Sequence, residues 1–297
     1  VSTQAGSTAD SVLGQGTTKF EELLEEYSGG QIQVESYYDT ELGGIDSQLE
    51  AVMTGSIDVC CLGPSYLSGY VPEIQVFDLP FLFDDYDQVN ATLDGDPGQF
   101  IASKFAGAGV KLMTYFHSGL RSITNSSRQI NSVEDVKGIK IRVAPSETQL
   151  ATWEGFGAIP MAMASSETFT ALQQGTIDAV EMFHTAYATS GFAELCKYYV
   201  NTNHIYTCGA LLLSAKVWNG MSEADQKVFT DAAATMAATT NSQLRDMDES
   251  SREKIVNELV EETFDLDKTE LRAMVQPVYD AHPEYSDFVA QVDALAK

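Results

Sequence analysis

One arginine stands in an apolar, strand-like run, Ile139-Lys-Ile-Arg142-Val143, closed by Ala144-Pro145 and followed by a helical stretch. A buried guanidinium without a partner is costly, so this side chain needs an anion. Its planar fork matches a carboxylate through two parallel hydrogen bonds. Two partners would serve: the carboxylate of a ligand, or one of the chain's own acidic side chains in an internal ion pair. Six arginines are present, and only Arg121, Arg128 and Arg142 precede Arg245. Arg121 lies in a second strand-like segment, HSGLRSITNS, just after Gly119.

Signatures of catalysis are missing. The chain has no GxSxG elbow, no HExxH pair, no GxxxxGK[ST] phosphate loop and no GxGxxG after a strand. His117, His184, His204 and His282 are scattered, and 43 acidic residues guarantee chance carboxylate pairs. The expectation is a protein that is not an enzyme and holds neither cofactor nor metal. Cys60, Cys61, Cys196 and Cys208 form no metal-ligand spacing. The vicinal pair reads as small core residues, whereas Cys196 and Cys208 could be bridged in an oxidising compartment.

A length of 297 residues suits two lobes, since single cores stop growing at about 250–300 residues. No tract approaches the ~20 apolar residues of a membrane helix, so no direct membrane insertion is expected. A formal net charge of −26 disfavours nucleic acid and anionic membrane surfaces as partners. An anionic ligand would then have to be held by a few well-placed cations. The chain starts at Val1 without an apolar leader, which fits either a cytosolic protein or one whose signal segment has been removed.

Short apolar strands alternate with helical stretches, the pattern of an α/β fold. Phe20, Leu23, Leu24 and Tyr27 recur at helical spacing before Ser28-Gly29-Gly30. Strands are expected over 31–38, 57–62, 110–116, 177–182 and 205–214, with helices over 47–53, 99–105 and 167–174. FDLPFLF, broken by Pro80, suggests an extended connection. From Ser222 to about Glu262 runs one long charged helical pattern, opened by the capping sequence Ser222-Glu-Ala-Asp225. Its length suggests that it spans both lobes or breaks once.

The stretch around Arg142 resembles the signature of the solute-binding proteins of tripartite ATP-independent periplasmic (TRAP) transporters, the DctP type. The resemblance rests on Gly138-Ile-Lys-Ile-Arg142-Val-Ala-Pro-Ser146, Gly157-Ala-Ile-Pro160, Met163, Ser166-Glu167-Thr-Phe169, Ala171-Leu-Gln-Gln-Gly175 and Asp178-Ala-Val-Glu181-Met182. Further pieces in the same order are Ser28-Gly-Gly30, Glu41-Leu-Gly43, Gly55-Ser-Ile-Asp58, Leu79-Pro-Phe-Leu-Phe83, Gly119-Leu-Arg121 and Thr202-Asn-His204.

What it implies is an α/β, two-lobed periplasmic-binding-protein-like fold with a ligand cleft between the lobes and a long helix spanning both. Residues 1–118 plus 207–247 would form lobe I, and 119–206 plus 248–297 lobe II. Such a protein captures a small organic acid in the periplasm or at the outer surface, where it is secreted or lipid-anchored, and delivers it to a membrane permease. Carried over by position, Arg142 would clamp the ligand carboxylate and Arg121 would supply a second cation. Glu181 would either neutralise Arg121 or touch the ligand, with His204 and Phe169 behind them. Ser65, Tyr66, Ser146, Ser165, Thr207 and Gln4 complete the expected contacts. At one place the chain departs from the family pattern: Met182 stands where sugar-acid binders carry Asn. A thioether offers polarisable apolar contact in place of amide donors and acceptors. A keto, hydroxy or aromatic monocarboxylate then suits the site, with a uronate-like sugar acid as the alternative. A ligand-sensing module that presents its closed form to a receptor is the other reading.

Overall fold

The computed structural model describes residues 1–6, 8–39 and 41–296. Its strands are β1 (Ser2–Ala5), β2 (Glu35–Tyr37), β3 (Val59–Leu62), β4 (Val110–Asn125), β5 (Lys140–Val143), β6 (Ile159–Ala162), β7 (Ala179–Phe183), β8 (Tyr198–Ser214) and β9 (Glu262–Asp265). The chain divides into two compact units. Unit 1 holds Val1–Glu73, Gly98–Ser118 and Cys208–Asp246, and unit 2 holds Ile74–Pro97, Gly119–Thr207 and Met247–Lys297.

Sequence alone runs the first lobe unbroken over 1–118, yet Ile74–Pro97 belongs with unit 2. The reason is long-range packing that no local pattern announces. Phe77 meets Phe288 edge to face with centroids 5.7 Å apart. Gln88 Nε2 donates to the Val292 carbonyl at 2.9 Å, and Tyr279 Oη donates to the Pro80 carbonyl at 2.8 Å.

In unit 1, β1 lies between β2 and β3 in parallel, and β3 runs antiparallel to β8. The helix Val12–Tyr27 starts where the Ser11 hydroxyl accepts from the Gly14 N–H. It buries Phe20, Leu23 and Leu24 and stops at Gly29 and Gly30, which take φ of 63° and 80°. Gly209 of β8 is required for packing, because a Cβ there would stand 2.5 Å from the Phe116 ring and 2.8 Å from Leu13. The long helix spans Glu223–Lys254. It ends earlier than its charge pattern suggests, in a π-helical turn over Ile255–Leu259, before the chain becomes β9. Its buried stripe, from Phe229 through Ala232, Ala233, Met236 and Thr240 to Leu244, recurs every three or four residues.

In unit 2 the strand order is β8-β4-β7-β5-β6, with β9 beside β8. β5 is parallel to both β6 and β7, while β4 is antiparallel to β7. Gly119 was expected to interrupt β4, but the strand runs through 16 residues. Gly119 keeps its place in it by taking φ of 127°, which disfavours any residue with a Cβ. The helices 165–173 and 184–189 and the π-helical turn pack on a cluster that includes Leu172, Ile177, Val180, Tyr187, Cys196, Tyr199 and Ile255. All four cysteines are buried, with Cys196 in unit 2 and Cys208 in unit 1.

Candidate ligand-binding site

Arg142 sits in the interior strand β5, and only 5% of its surface is exposed. Backbone hydrogen bonds to β6 and β7 on either side fix the strand, and register sets Arg142 opposite Met161 and Val180. The guanidinium spends one edge on a single acceptor: Nε and Nη2 donate to the Met163 carbonyl at 3.1 and 2.9 Å. Among the described residues no carboxylate lies within 4.0 Å of it. The internal ion pair left open by the sequence is therefore not formed among the described residues. One carbonyl cannot neutralise a buried cation. The other edge, Nη1 with the second N–H of Nη2, has the two-donor geometry that both oxygens of a carboxylate can accept.

Arg121 is in the opposite condition. Its Nε approaches Glu181 Oε1 at 3.4 Å, and its Nη2 donates to the Glu181 carbonyl at 3.3 Å. The Nε–Oε1 contact is an ion pair without an aligned hydrogen bond. Glu181 is fully buried on β7, and its second oxygen accepts from Trp153 Nε1 at 2.8 Å and meets His204 Nε2 at 2.7 Å. His204 Nδ1 in turn meets the Thr202 hydroxyl at 2.8 Å, and the His204 and Trp153 rings pack edge to face at 4.9 Å. Burial is the largest influence on the Glu181 carboxyl and raises its pKa. Arg121, the His204 contacts and Trp153 together outweigh it, pulling the carboxyl down to about 2. Glu181 thus pairs with Arg121 through Oε1, which accepts no hydrogen bond, while its other oxygen holds Trp153 and His204. Trp153 is the partner that sequence reasoning missed, because its helix, Glu147–Gly155, carries no signal of where the indole points.

That helix is itself positioned by Asp78. The Asp78 carboxylate accepts from the Ser146 hydroxyl at 2.8 Å and from Gln149 Nε2 at 3.0 Å. Ser146, one of the expected ligand contacts, caps this helix: 2% exposed, it also accepts from the Gln149 N–H at 3.3 Å. Phe81 reaches the same assembly. Its N–H donates to the His204 carbonyl at 2.6 Å while its backbone holds φ of 58°. Arg272 Nη1 donates to the Phe81 carbonyl at 3.1 Å, and the guanidinium lies over the ring, 5.1 Å from its centroid.

Met182 is half-buried on β7 and packs against the apolar cluster, as do Met161 and Met163. Phe169 meets Phe192 edge to face at 5.5 Å. Ser165 is exposed at the start of helix 165–173, and Thr207 is half-buried on β8. These belong to unit 2 along with both arginines, Glu181, Met182, Ser146 and His204. Gln4, Ser65 and Tyr66 belong to unit 1. Gln4 is fully buried on β1, its Nε2 reaching the Asp39 carbonyl at 3.4 Å, and Ser65 and Tyr66 lie in a 3₁₀ turn. Among the described residues no group of His, Cys, Asp and Glu could hold a metal ion, and no helix is long and apolar enough to cross a membrane.

An α/β chain with a buried, unneutralised arginine on an interior strand has the build of a solute-binding protein. Residues 2–285 match the family model DctP, bacterial extracellular solute-binding protein family 7, and the chain belongs to that family. The family is one of solute receptors and not of enzymes. A solute-binding protein of Verminephrobacter eiseniae is 34% identical over 72% of this chain and 64% of its own length. The chain thus spans just under two thirds of that relative. A TRAP periplasmic solute-binding protein from Bordetella, with bound density interpreted as pantoate, matches at TM-score 0.95 and 28% identity over the whole of both chains. One from Xanthobacter autotrophicus with bound β-D-galacturonate matches at TM-score 0.92 and 28% identity over 99% of each. The fold is that of these TRAP proteins.

Proposed function

We propose that this protein is the extracytoplasmic receptor of a TRAP transporter. It captures a small organic acid outside the cytoplasm, in the periplasm or tethered to the cell surface, and hands it to the membrane permease subunits. The observation that carries this reading is the free fork of Arg142. A cation buried to 5% exposure and given only a carbonyl is poised for a carboxylate. Arg121 is held by Glu181 and is already balanced within the fold. Two ligand chemistries have support. Pantoate in the Bordetella protein is a branched hydroxy acid, and galacturonate in the Xanthobacter protein is a sugar acid; both carry one carboxylate.

A thermal-shift panel tests the reading, with each acid run beside its neutral amide. A ligand at a hundred times its Kd stabilises the folded state by about 2.7 kcal/mol. The expected result is a shift with an acid and none with its amide. Equal shifts from an acid and its amide would overturn the carboxylate clamp.

A further inference from the structure

The strands around Arg142 carry information about the rest of the ligand. Side chains that face each other across neighbouring strands share a face of the sheet. Register puts Met161 on one side of Arg142 and Val180 on the other, and Met182 follows Val180 two residues on. Met163 stands two beyond Met161, and its carbonyl holds the guanidinium. Met161, Met163 and Met182 are all half-buried, each with part of its surface on the apolar cluster and part uncovered.

The polar side chains on the same face are already engaged. On β4 the partners of Met182 and Val180 are Ser122 and Thr124. The Ser122 hydroxyl donates to Asn203 Oδ1 at 3.0 Å and accepts from the Asn203 N–H at 3.3 Å. Thr124 Oγ1 donates to the Val180 carbonyl at 3.4 Å. Charge is equally committed: Glu181 already balances Arg121, so of these two arginines only Arg142 has a charge to offer.

We infer that the Arg142 subsite selects monocarboxylates whose carbon body beside the carboxylate is branched or otherwise apolar, and discriminates against polyhydroxylated acids and dicarboxylates. The inference rests on the carboxylate-receptor reading and narrows its ligand class. Hydroxyls laid against three thioethers would lose their water without finding partners. A second carboxylate would meet no second buried cation without a counter-charge here, since the other cation of β5, Lys140, is exposed at the start of the strand.

The test compares three 2-hydroxy acids by calorimetric titration: 2-hydroxy-4-methylpentanoate, D-gluconate with the same number of carbons, and malate. The expected result is binding of the branched acid at least about ten-fold tighter than either of the others, the effect of one buried hydroxyl left unpaired. Met182→Asn should narrow that gap by weakening the branched acid and strengthening gluconate, while Met182→Leu keeps it. The melting temperature of each ligand-free variant separates a changed preference from a damaged fold. Gluconate or malate binding as tightly as the branched acid, in a manner abolished by Arg142→Met, would overturn the inference and leave the carboxylate clamp standing. No binding of any carboxylate by a broad panel would overturn both.

Discussion

Two arginines of the same unit differ in what surrounds them, and that difference carries the functional argument. Arg121 lies on a fully buried carboxylate that is itself held by an indole and an imidazole. Arg142 has a carbonyl only. Glu181 therefore stabilises the fold through a network, and removing it leaves Arg121 uncompensated. Glu181→Gln should destabilise the protein by about 3–5 kcal/mol, measured by urea denaturation, since one partner of a buried pair is lost. The pH dependence has a definite sign. The carboxyl is near 2 in the folded protein against 4.5 in the unfolded chain. Its contribution is therefore complete above pH 4.5 and is lost as pH falls from there toward 2, by about 3 kcal/mol in all. The Gln variant should lack this part of the acid transition; an unchanged acid limb would contradict the network. Arg142 is legible in the chain because it stands in a short apolar strand motif, whereas the pairing of Glu181 with Arg121 is only one of two alternatives that the family resemblance implies. The capping role of Ser146 is less legible, because the Gln149 and Asp78 partners of its hydroxyl are set by the fold.

Elements hold these side chains through contacts remote in sequence. The turn at Phe81 links the C-terminal helices to His204, with Arg272 on one side and the His204 carbonyl on the other. A residue with a side chain at φ of 58° is strained unless its surroundings hold it there. Arg272→Ala should cost about 1–2 kcal/mol in stability, from the hydrogen bond to Phe81 and the exposed ion pair with Asp84. It should also speed hydrogen exchange of the Phe81 amide well beyond the change in global stability. Exchange that tracks global stability alone would show that Arg272 does not hold the turn. Helix periodicity made most helices readable, and the breaks at Gly29-Gly30 and Gly175 fell where expected. Gly119 makes β4 look like two pieces in the sequence, and the inclusion of Ile74–Pro97 in unit 2 is invisible there, since its partners lie near residues 272–292.

At the scale of the molecule, a net charge of −26 works against both compactness and the approach of an anion. Added salt screens such repulsion, with a Debye length of about 10 Å at 0.1 M. Raising ionic strength should therefore raise the melting temperature of the free protein and speed association with an acid, the reverse of ordinary electrostatic steering. A fall in association rate with salt would mean that local cations govern the approach. Composition announced this property plainly, and α/β alternation announced the fold class, but neither showed which charges stand unneutralised. That depends on three-dimensional neighbours. The most direct measurement is on Arg142→Met, which replaces an unneutralised buried cation with an apolar side chain of similar length. The account predicts a ligand-free variant at least as stable as the parent, because burying an uncompensated charge is costly, together with loss of every carboxylate-dependent thermal shift. A variant that unfolds more readily yet still responds to acids would contradict it, since Arg142 would then serve the fold and not the ligand.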